Sequence, residues 1–493
     1  MKKGELIMQQ TSFPTVILGG GFVGLFTALH LSQQKYSRSI ILIEPRDRFT
    51  FKPLLYELLT EEMHSEQVCP SYLDLLANSK VSWIQNIVKS INLHQRQITL
   101  DSGETYSYRN LVLALGSRTT YFNIPGAAEN ALPFTSDTEA ITLKLRLKDC
   151  LQTAITTNDT EQRQRLLTIA IIGAGPAGVE LAATLADILP VWYDMMGGDY
   201  EEIRIVLVNR SEEILKGDIN SSLRQTAQNF LGDRTAKVEL LLNAAVTKIT
   251  PMGIEYSQHG KADFLSAMTI CWTGGTRPNS LLQELPVQRN QRGQLIVNST
   301  LQLPDFPEVF VGGDCAYVSH EPQPPTAQVA YQQGKAIAYN LQALAQGRST
   351  VPAKVNLRGT LMKLGIDEGV ANIFDRIKVK GELGHLIRQA TYLELLPKPL
   401  YNFKATSEWL TDELLQRHQP MSLHRQGRTP LVAGMSTILA STLIAIPLIW
   451  RAAQPQQFQT QMSDTSIPTL LDRMTKSEKP EMCKDTKMKM LCW

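Results

Sequence analysis

Cysteine is scarce in this chain: six in 493 residues (Cys69, Cys150, Cys271, Cys315, Cys483 and Cys492), with no CxxC among them. Structural zinc and an extracellular disulfide framework are both disfavoured, and a reducing compartment is expected. An excess of charge of one sign is also missing. Lys plus Arg is 49 against 47 for Asp plus Glu, a net charge of +2, which leaves no electrostatic case for nucleic acid. The first fourteen residues carry Lys2 and Lys3 but no apolar run of signal-peptide length, so no secretory signal is expected. Hydrophobic residues at 43% and charged residues at 19% describe a well-cored globular chain, long enough at roughly 100–200 residues per domain for two to four domains.

Glycine is where the sequence becomes informative. The run Val16, Ile17, Leu18, Gly19, Gly20, Gly21, Phe22, Val23, Gly24 reads as a buried strand, a tight turn and a helix start. The pattern returns 154 residues later as Ile171, Ile172, Gly173, Ala174, Gly175, Pro176, Ala177, Gly178. A dinucleotide needs the first glycine for the turn, the second for approach of the pyrophosphate, and the third for packing of helix on strand. The phosphates then meet unpaired N–H groups at the positive end of the helix. Helical spacing follows both copies, with Leu25, Ala28 and Leu29 in one and Val179, Leu181, Ala182 and Leu185 in the other. A glycine-rich turn in an ordinary parallel sheet is the plain alternative for either copy, and a poor one for both together.

The second strands give the two units different roles. In the first, Ile40 to Ile43 end at Glu44, twenty residues past Gly24, where a carboxylate accepts from an adenosine ribose hydroxyl. In the second, the strand ends at Asn209 and Arg210, thirty-one residues past Gly178. A carboxylate there would repel a 2′-phosphate, whereas Asn209 is neutral and Arg210 can donate to it, so the second site is expected to accept NADPH. A merely solvated Arg210 is the alternative.

Two such units in this order resemble the two-dinucleotide-binding-domain flavoproteins, with FAD on the first and NAD(P)H on the second. The strand ending Ala114, Leu115, Gly116, Ser117 is similar to the one closing their FAD domain, and Thr273, Gly274, Gly275 to its counterpart in the NAD domain. Gly312, Gly313 and Asp314 resemble the late motif whose aspartate holds the flavin ribityl chain. Within that superfamily the chain resembles the type II NAD(P)H:quinone oxidoreductases. The segment Phe49, Thr50, Phe51, Lys52, Pro53, Leu54, Leu55, Tyr56, Glu57 is similar to their stretch over the flavin. Ala327, Gln328, Val329, Ala330, Tyr331, Gln332, Gln333 resembles their AQxAxQ(Q/E) motif where quinone binds. The spacing puts Gln328 and Gln332 one turn apart on a helix, as neutral amides able to bond quinone carbonyls, although a satisfied pair on a surface helix has the same spacing.

The resemblance implies hydride transfer from nicotinamide to flavin and then two electrons and two protons to quinone, with no proton pumping and no side-chain nucleophile. It suggests a proton-linked role for Glu180, beside the reading in which this glutamate only favours the helix dipole. Disulfide reductases and sulfide:quinone oxidoreductases need closely placed cysteines that this sequence lacks, and no metal ligand set is assigned. Two rival roles are reduction of a biosynthetic demethylnaphthoquinone and a redox-sensing flavoprotein acting through its C-terminal tail.

The expected class is α/β with two Rossmann-like domains and a C-terminal membrane-anchoring region. The divisions are 12–122 and 296–350 for the FAD domain and 123–295 for the NAD(P)H domain. A C-terminal region follows at 351–428, with amphipathic helices at 386–396 and 407–415. Residues 429–450 hold no charge over 22 residues, roughly 33 Å as a helix, and read as a transmembrane span. Arg417, Arg425 and Arg428 before it, against Arg451 after it, place the catalytic domains on the cytoplasmic side. Residues 451–493 read as a polar, disordered tail. The partners are then a membrane quinone, NAD(P)H and the bilayer, with a homodimer left open.

Overall fold

The computed structural model describes residues 13–217, 221–357, 359–373 and 377–397. The first unit begins with strand β1 (Thr15–Leu18), helix α1 (Phe22–Gln33) and strand β2 (Ile40–Ile43). Helix α2 (Leu55–Leu59), β3 (Val81–Ile84) and β4 (Asn110–Leu113) follow. The second unit holds β5 (Leu132–Pro133), β6 (Thr168–Ile172), helix α3 (Pro176–Met195), β7 (Arg204–Val208), β8 (Val238–Leu241) and β9 (Thr269–Trp272). The chain then returns to the first unit with β10 (Val309–Val311) and helix α4 (Ala327–Ala345). It ends, among the described residues, in a meander of β11 (Gly359–Lys363), β12 (Gly369–Ile373) and β13 (Ile377–Lys380), with helix α5 (Gly381–Glu394) packed on it.

Each unit is built on a five-stranded parallel sheet, ordered β10-β4-β1-β2-β3 in the first and β8-β7-β6-β9-β5 in the second. All four residues of β1 and all five of β6 are buried, as expected of central strands covered on both faces. Register fixes what lies at the carboxyl edge. Leu18 stands opposite Ile43 and Leu113, so Gly19, Glu44 and Ala114 emerge side by side. Ile172 stands opposite Val208 and Trp272, so Gly173, Asn209 and Thr273 do the same in the second sheet. The carboxyl edge of such a sheet is where nucleotides bind.

The chain crosses between units on two antiparallel strands, Ser117–Thr119 against Thr276–Pro278. Helices α1 and α4 cross closely because Gly334 has no side chain: a Cβ there would lie 2.8 Å from the Val23 carbonyl oxygen. Thr27 Oγ1 donates to the Gly334 carbonyl at 3.1 Å across the same contact. This crossing sets α4 against the first fingerprint.

The C-terminal helix corrects one expectation. The spacing of Leu386, Ile387, Ala390, Leu393 and Leu396 suggests an apolar face, yet the buried residues of α5 are Gly384, His385, Arg388, Gln389 and Leu393. Buried carboxylates on the facing elements require a cation there, and that requirement overrides the apolar pattern. No helix among the described residues is long and apolar enough to cross a membrane. The spans expected at 407–415 and 429–450, and the tail with Cys483 and Cys492, lie outside the described residues.

Candidate active site

Both fingerprints fold into the same cradle. Gly19 and Gly173 take φ of +97° and +106°, and their N–H groups donate to Ile43 and Val208 at 2.8 Å. A Cβ on Gly24 or Gly178 would fall 1.8 Å from the carbonyl oxygen of Gly19 or Gly173. Gly21 and Gly175 differ: a Cβ on either would meet nothing within 4 Å. Closed positions therefore flank an open one, and that open ground lies at the N-terminus of α1 and of α3. Neither helix carries an acid in its first turn, as an anionic pyrophosphate requires. The residues present thus fit a dinucleotide in each unit.

The residues ending the second strands lock these loops. Glu44, 4% exposed, accepts from Gly20 N at 2.7 Å and from Arg46 Nε at 2.8 Å. Asn209 does the equivalent job neutrally: Oδ1 accepts from Ala174 N at 3.3 Å, and Nδ2 donates to the Glu213 carbonyl at 2.9 Å. Arg210 beside it is exposed. Tyr72, which sequence reasoning passed over, donates to the Gly20 carbonyl at 2.8 Å and fills the space beside that glycine.

In the first unit, Phe22 packs edge-on against Phe49 and Phe51, each at 5.2 Å between ring centroids. Ala114 is buried, Gly116 has φ of +62°, and Lys52 is exposed. A Cβ on Gly274 would lie 3.2 Å from the Trp272 ring, and Gly274 itself faces Gly173. Asp314 accepts from Ser117 Oγ at 2.5 Å, across the link between units. Gly313, at φ +69°, donates its N–H to Gln333 Oε1 at 2.6 Å. Gln333 is 3% exposed and also donates to Gln323, so its amide holds the Gly313 turn. Val23 lies against Gly334 at the helix crossing, and Ala327 is the first residue of α4.

Gln328 and Gln332 share a face of α4, as the spacing predicts, and both reach the strap entering the C-terminal meander. Gln328 Nε2 donates to the Gly359 carbonyl at 3.0 Å. Gln332 brackets Asn356, accepting from its N–H at 2.9 Å and donating to its carbonyl at 3.0 Å. The pair therefore fixes Asn356 and Gly359 against the helix.

Glu180 is the fifth residue of α3, beyond the first turn where a helix dipole acts, so the dipole reading loses its ground. Its Oε1 accepts from Lys363 N at 2.7 Å. Burial pushes the carboxyl above its usual range, against the pull of Arg388, the Lys363 amide and the Tyr56 hydroxyl. Burial likewise drives Tyr56 upward, helped by Glu180.

Behind Glu180 lies an ionic cluster that sequence reasoning missed. Glu57, Lys363 and Arg388 are each wholly buried. Lys363 Nζ bonds Glu57 Oε1 at 3.1 Å and Glu62 Oε2 at 2.6 Å, while Arg388 bonds Glu57 Oε1 at 2.6 Å. Burial would raise Glu57, but Arg388 and then Lys363 outweigh it and hold the carboxyl at about 2. Glu62 is raised by burial, with Lys363 pulling the other way. The one visible signal was Lys363 itself, a lone cation in the apolar run Leu361, Met362, Lys363, Leu364. The four described cysteines are free and buried, and burial pushes Cys69 and Cys271 to about 12, so none is a ready nucleophile.

A family model described as pyridine nucleotide-disulphide oxidoreductase matches residues 13–334. Demethylphylloquinone reductase NdbB of Synechocystis sp. is 34% identical over 81% of this chain and 96% of its own length. Alternative NAD(P)H-ubiquinone oxidoreductase C1, chloroplastic/mitochondrial, of Arabidopsis thaliana is 29% identical over 80% of this chain and 79% of its own. Among solved structures, NDH2 from Plasmodium falciparum in complex with NADH shares the fold, with a TM-score of 0.71 at 20% identity over 82% of this chain and 98% of that one. The chain belongs to the pyridine nucleotide-disulphide oxidoreductase family, on its type II NAD(P)H:quinone oxidoreductase branch.

Proposed function

We propose that this chain is an FAD-dependent NAD(P)H:quinone oxidoreductase that does not pump protons and works at a membrane surface. The observation that carries the reading is the pair of matching cradles, each open only at its middle glycine, Gly21 and Gly175. FAD, when bound, supplies the two-electron chemistry that joins nicotinamide oxidation to quinone reduction. The loop from Gly19 to Gly24, with Glu44, Lys52, Ala114, Gly116 and Asp314, holds FAD. The loop from Gly173 to Gly178, with Asn209, Arg210 and Gly274, holds NAD(P)H. Gln328 and Gln332 shape the quinone end of α4 by fixing the strap over it, and Gln333 steadies the turn bearing Asp314. The uncharged stretch 429–450 anchors the protein, with the catalytic domains on the cytoplasmic side.

Arg210 supports acceptance of NADPH, since it is exposed beside a neutral Asn209. Arg210→Gln should lower kcat/KM for NADPH about tenfold, equivalent to ~1.4 kcal/mol, and leave that for NADH within twofold. Steady-state kinetics with both nucleotides checks this; equal effects on the two would remove the phosphate contact.

Glu180 is the group assigned the proton-linked role in quinone reduction. Its raised pKa means that the protonated form persists to higher pH than an ordinary carboxyl. Quinone turnover should therefore decline as pH rises through this group. Glu180→Gln should cut kcat at least about tenfold and flatten that limb of the pH profile.

A second reading, reduction of a biosynthetic demethylnaphthoquinone, gains support from the name of the 34% identical relative. One experiment addresses both: purification in detergent, a flavin spectrum, anaerobic titration with NADH and NADPH, then a quinone panel. Bleaching by nicotinamide and recolouring by quinone is expected, and the fastest quinone distinguishes the readings. A colourless protein that cannot be reconstituted with FAD would overturn both.

A further inference from the structure

Three side chains at the edge of the ionic cluster take no part in the function proposed above. Glu62 lies just beyond α2, Asp367 lies in the turn between β11 and β12 at φ +55°, and His385 lies in the second turn of α5. One carboxylate oxygen from each acid and one ring nitrogen of His385 all lie within 4.8 Å of one another.

Glu62 is fixed from one side only. Thr60 Oγ1 at 2.5 Å and Lys363 Nζ at 2.6 Å both bond to Oε2, so Oε1 carries no hydrogen bond. His385 is 2% exposed, and its Nδ1 is buried with no hydrogen-bond partner. A buried polar atom left in that state is costly and calls for a partner. The ring is also held in place. A Cβ on Gly369 would lie 3.0 Å from His385 N, and one on Gly384 would lie 2.4 Å from the Gly369 carbonyl oxygen, so α5 starts flush against β12.

We propose that Glu62, Asp367 and His385 form a binding site for one divalent transition-metal cation of the zinc or manganese type. Two carboxylates and an imidazole make a mixed oxygen and nitrogen donor set, which favours such ions over magnesium or calcium. Three ligands about 2.0–2.2 Å from one tetrahedral ion stand roughly 3.3–3.6 Å from one another, so closure from separations within 4.8 Å asks for shifts of up to about an ångström. Lys363 plays the part of an outer partner, bonding the Glu62 oxygen that the ion does not use. Its ammonium lies close enough to repel the ion, which limits the affinity, and its charge is already shared between Glu57 and Glu62. The ion would tie the stretch after α2 to two neighbouring stretches far along the chain, joining the first unit to the C-terminal meander and α5.

The full chain, loaded with FAD and stripped with EDTA, is titrated with Zn2+ by calorimetry, and its melting temperature is followed in parallel. One ion per chain and a rise in melting temperature are expected. His385→Gln and Asp367→Asn should each weaken binding at least tenfold, and Mg2+ should bind at least tenfold more weakly than Zn2+. Flavin content reports whether each variant folds, and Asp367, partly exposed in a turn, keeps the test decisive if His385→Gln does not. The double variant Cys483→Ser, Cys492→Ser should bind as the parent does. Absence of saturable binding, binding unchanged in both site variants, or binding lost with the two tail cysteines would each overturn the proposal.

Discussion

Gly175→Val should give a folded, yellow protein whose kcat/KM for reduced nicotinamide falls at least about a hundredfold, ~2.7 kcal/mol of lost stabilisation. The backbone permits the change, because Gly175 has φ of −73°, a conformation that any residue adopts. The protein around it permits the change too, because no heavy atom lies within 4 Å of the new Cβ. The two methyl groups of valine instead occupy the ground over the N-terminus of α3 that an approaching pyrophosphate needs. Loss should appear chiefly in KM, since the contact belongs to the nucleotide in ground and transition state alike. Gly178→Val is the informative contrast: its Cβ would lie 1.8 Å from the Gly173 carbonyl oxygen, so the second unit itself should fail. If Gly175→Val oxidises NADH and NADPH as the parent does, the second cradle does not hold the nicotinamide nucleotide.

How far the sequence could be read follows from which forces leave a local trace. The cradles were legible because a tight turn, a close backbone approach and a buried strand each demand a residue type at a fixed offset, and Gly19, Gly24, Gly173 and Gly178 meet those demands. Glu44 and Asn209 were placed at the right strand ends, although their first partners turn out to be Gly20 N and Ala174 N of their own loops. The shared face of Gln328 and Gln332 followed from helical spacing. Their engagement of Gly359 and Asn356 did not, because those partners lie 31 and 24 residues downstream. The least legible part was the cluster of Glu57, Lys363 and Arg388. Its members stand 306 and 331 residues apart in sequence, and no periodicity marks a charge that is stable only because its partner arrives from elsewhere. Periodicity assigned α5 an apolar face for the same reason.

Arg388→Ala should lower the stability of the folded chain by about 3–5 kcal/mol, the range for removing one member of a buried ion pair. Both partners are fully buried at a separation of 2.6 Å, so water cannot take the place of the lost guanidinium. Arg388 also lies over the Tyr392 ring at 4.9 Å and donates to the Pro53 carbonyl, and those contacts go with it. Lys363 alone must then serve Glu57 and Glu62. The pH dependence identifies the cause. In the parent Glu57 is held at about 2, below its unfolded value, so its contribution is present above the unfolded pKa and is lost as pH falls through about 2. In the variant burial dominates and raises the Glu57 pKa, so the folded state takes up a proton more readily than the unfolded chain. The deficit between variant and parent should therefore narrow as pH is lowered from 7 to 5, in urea unfolding followed by tryptophan fluorescence. Adding Glu57→Gln to Arg388→Ala should restore part of the loss, because the stranded charge disappears with it. A deficit that is constant with pH and additive in the double variant would mean that Arg388 acts through packing, and that the C-terminal helix is not held to the first unit by charge.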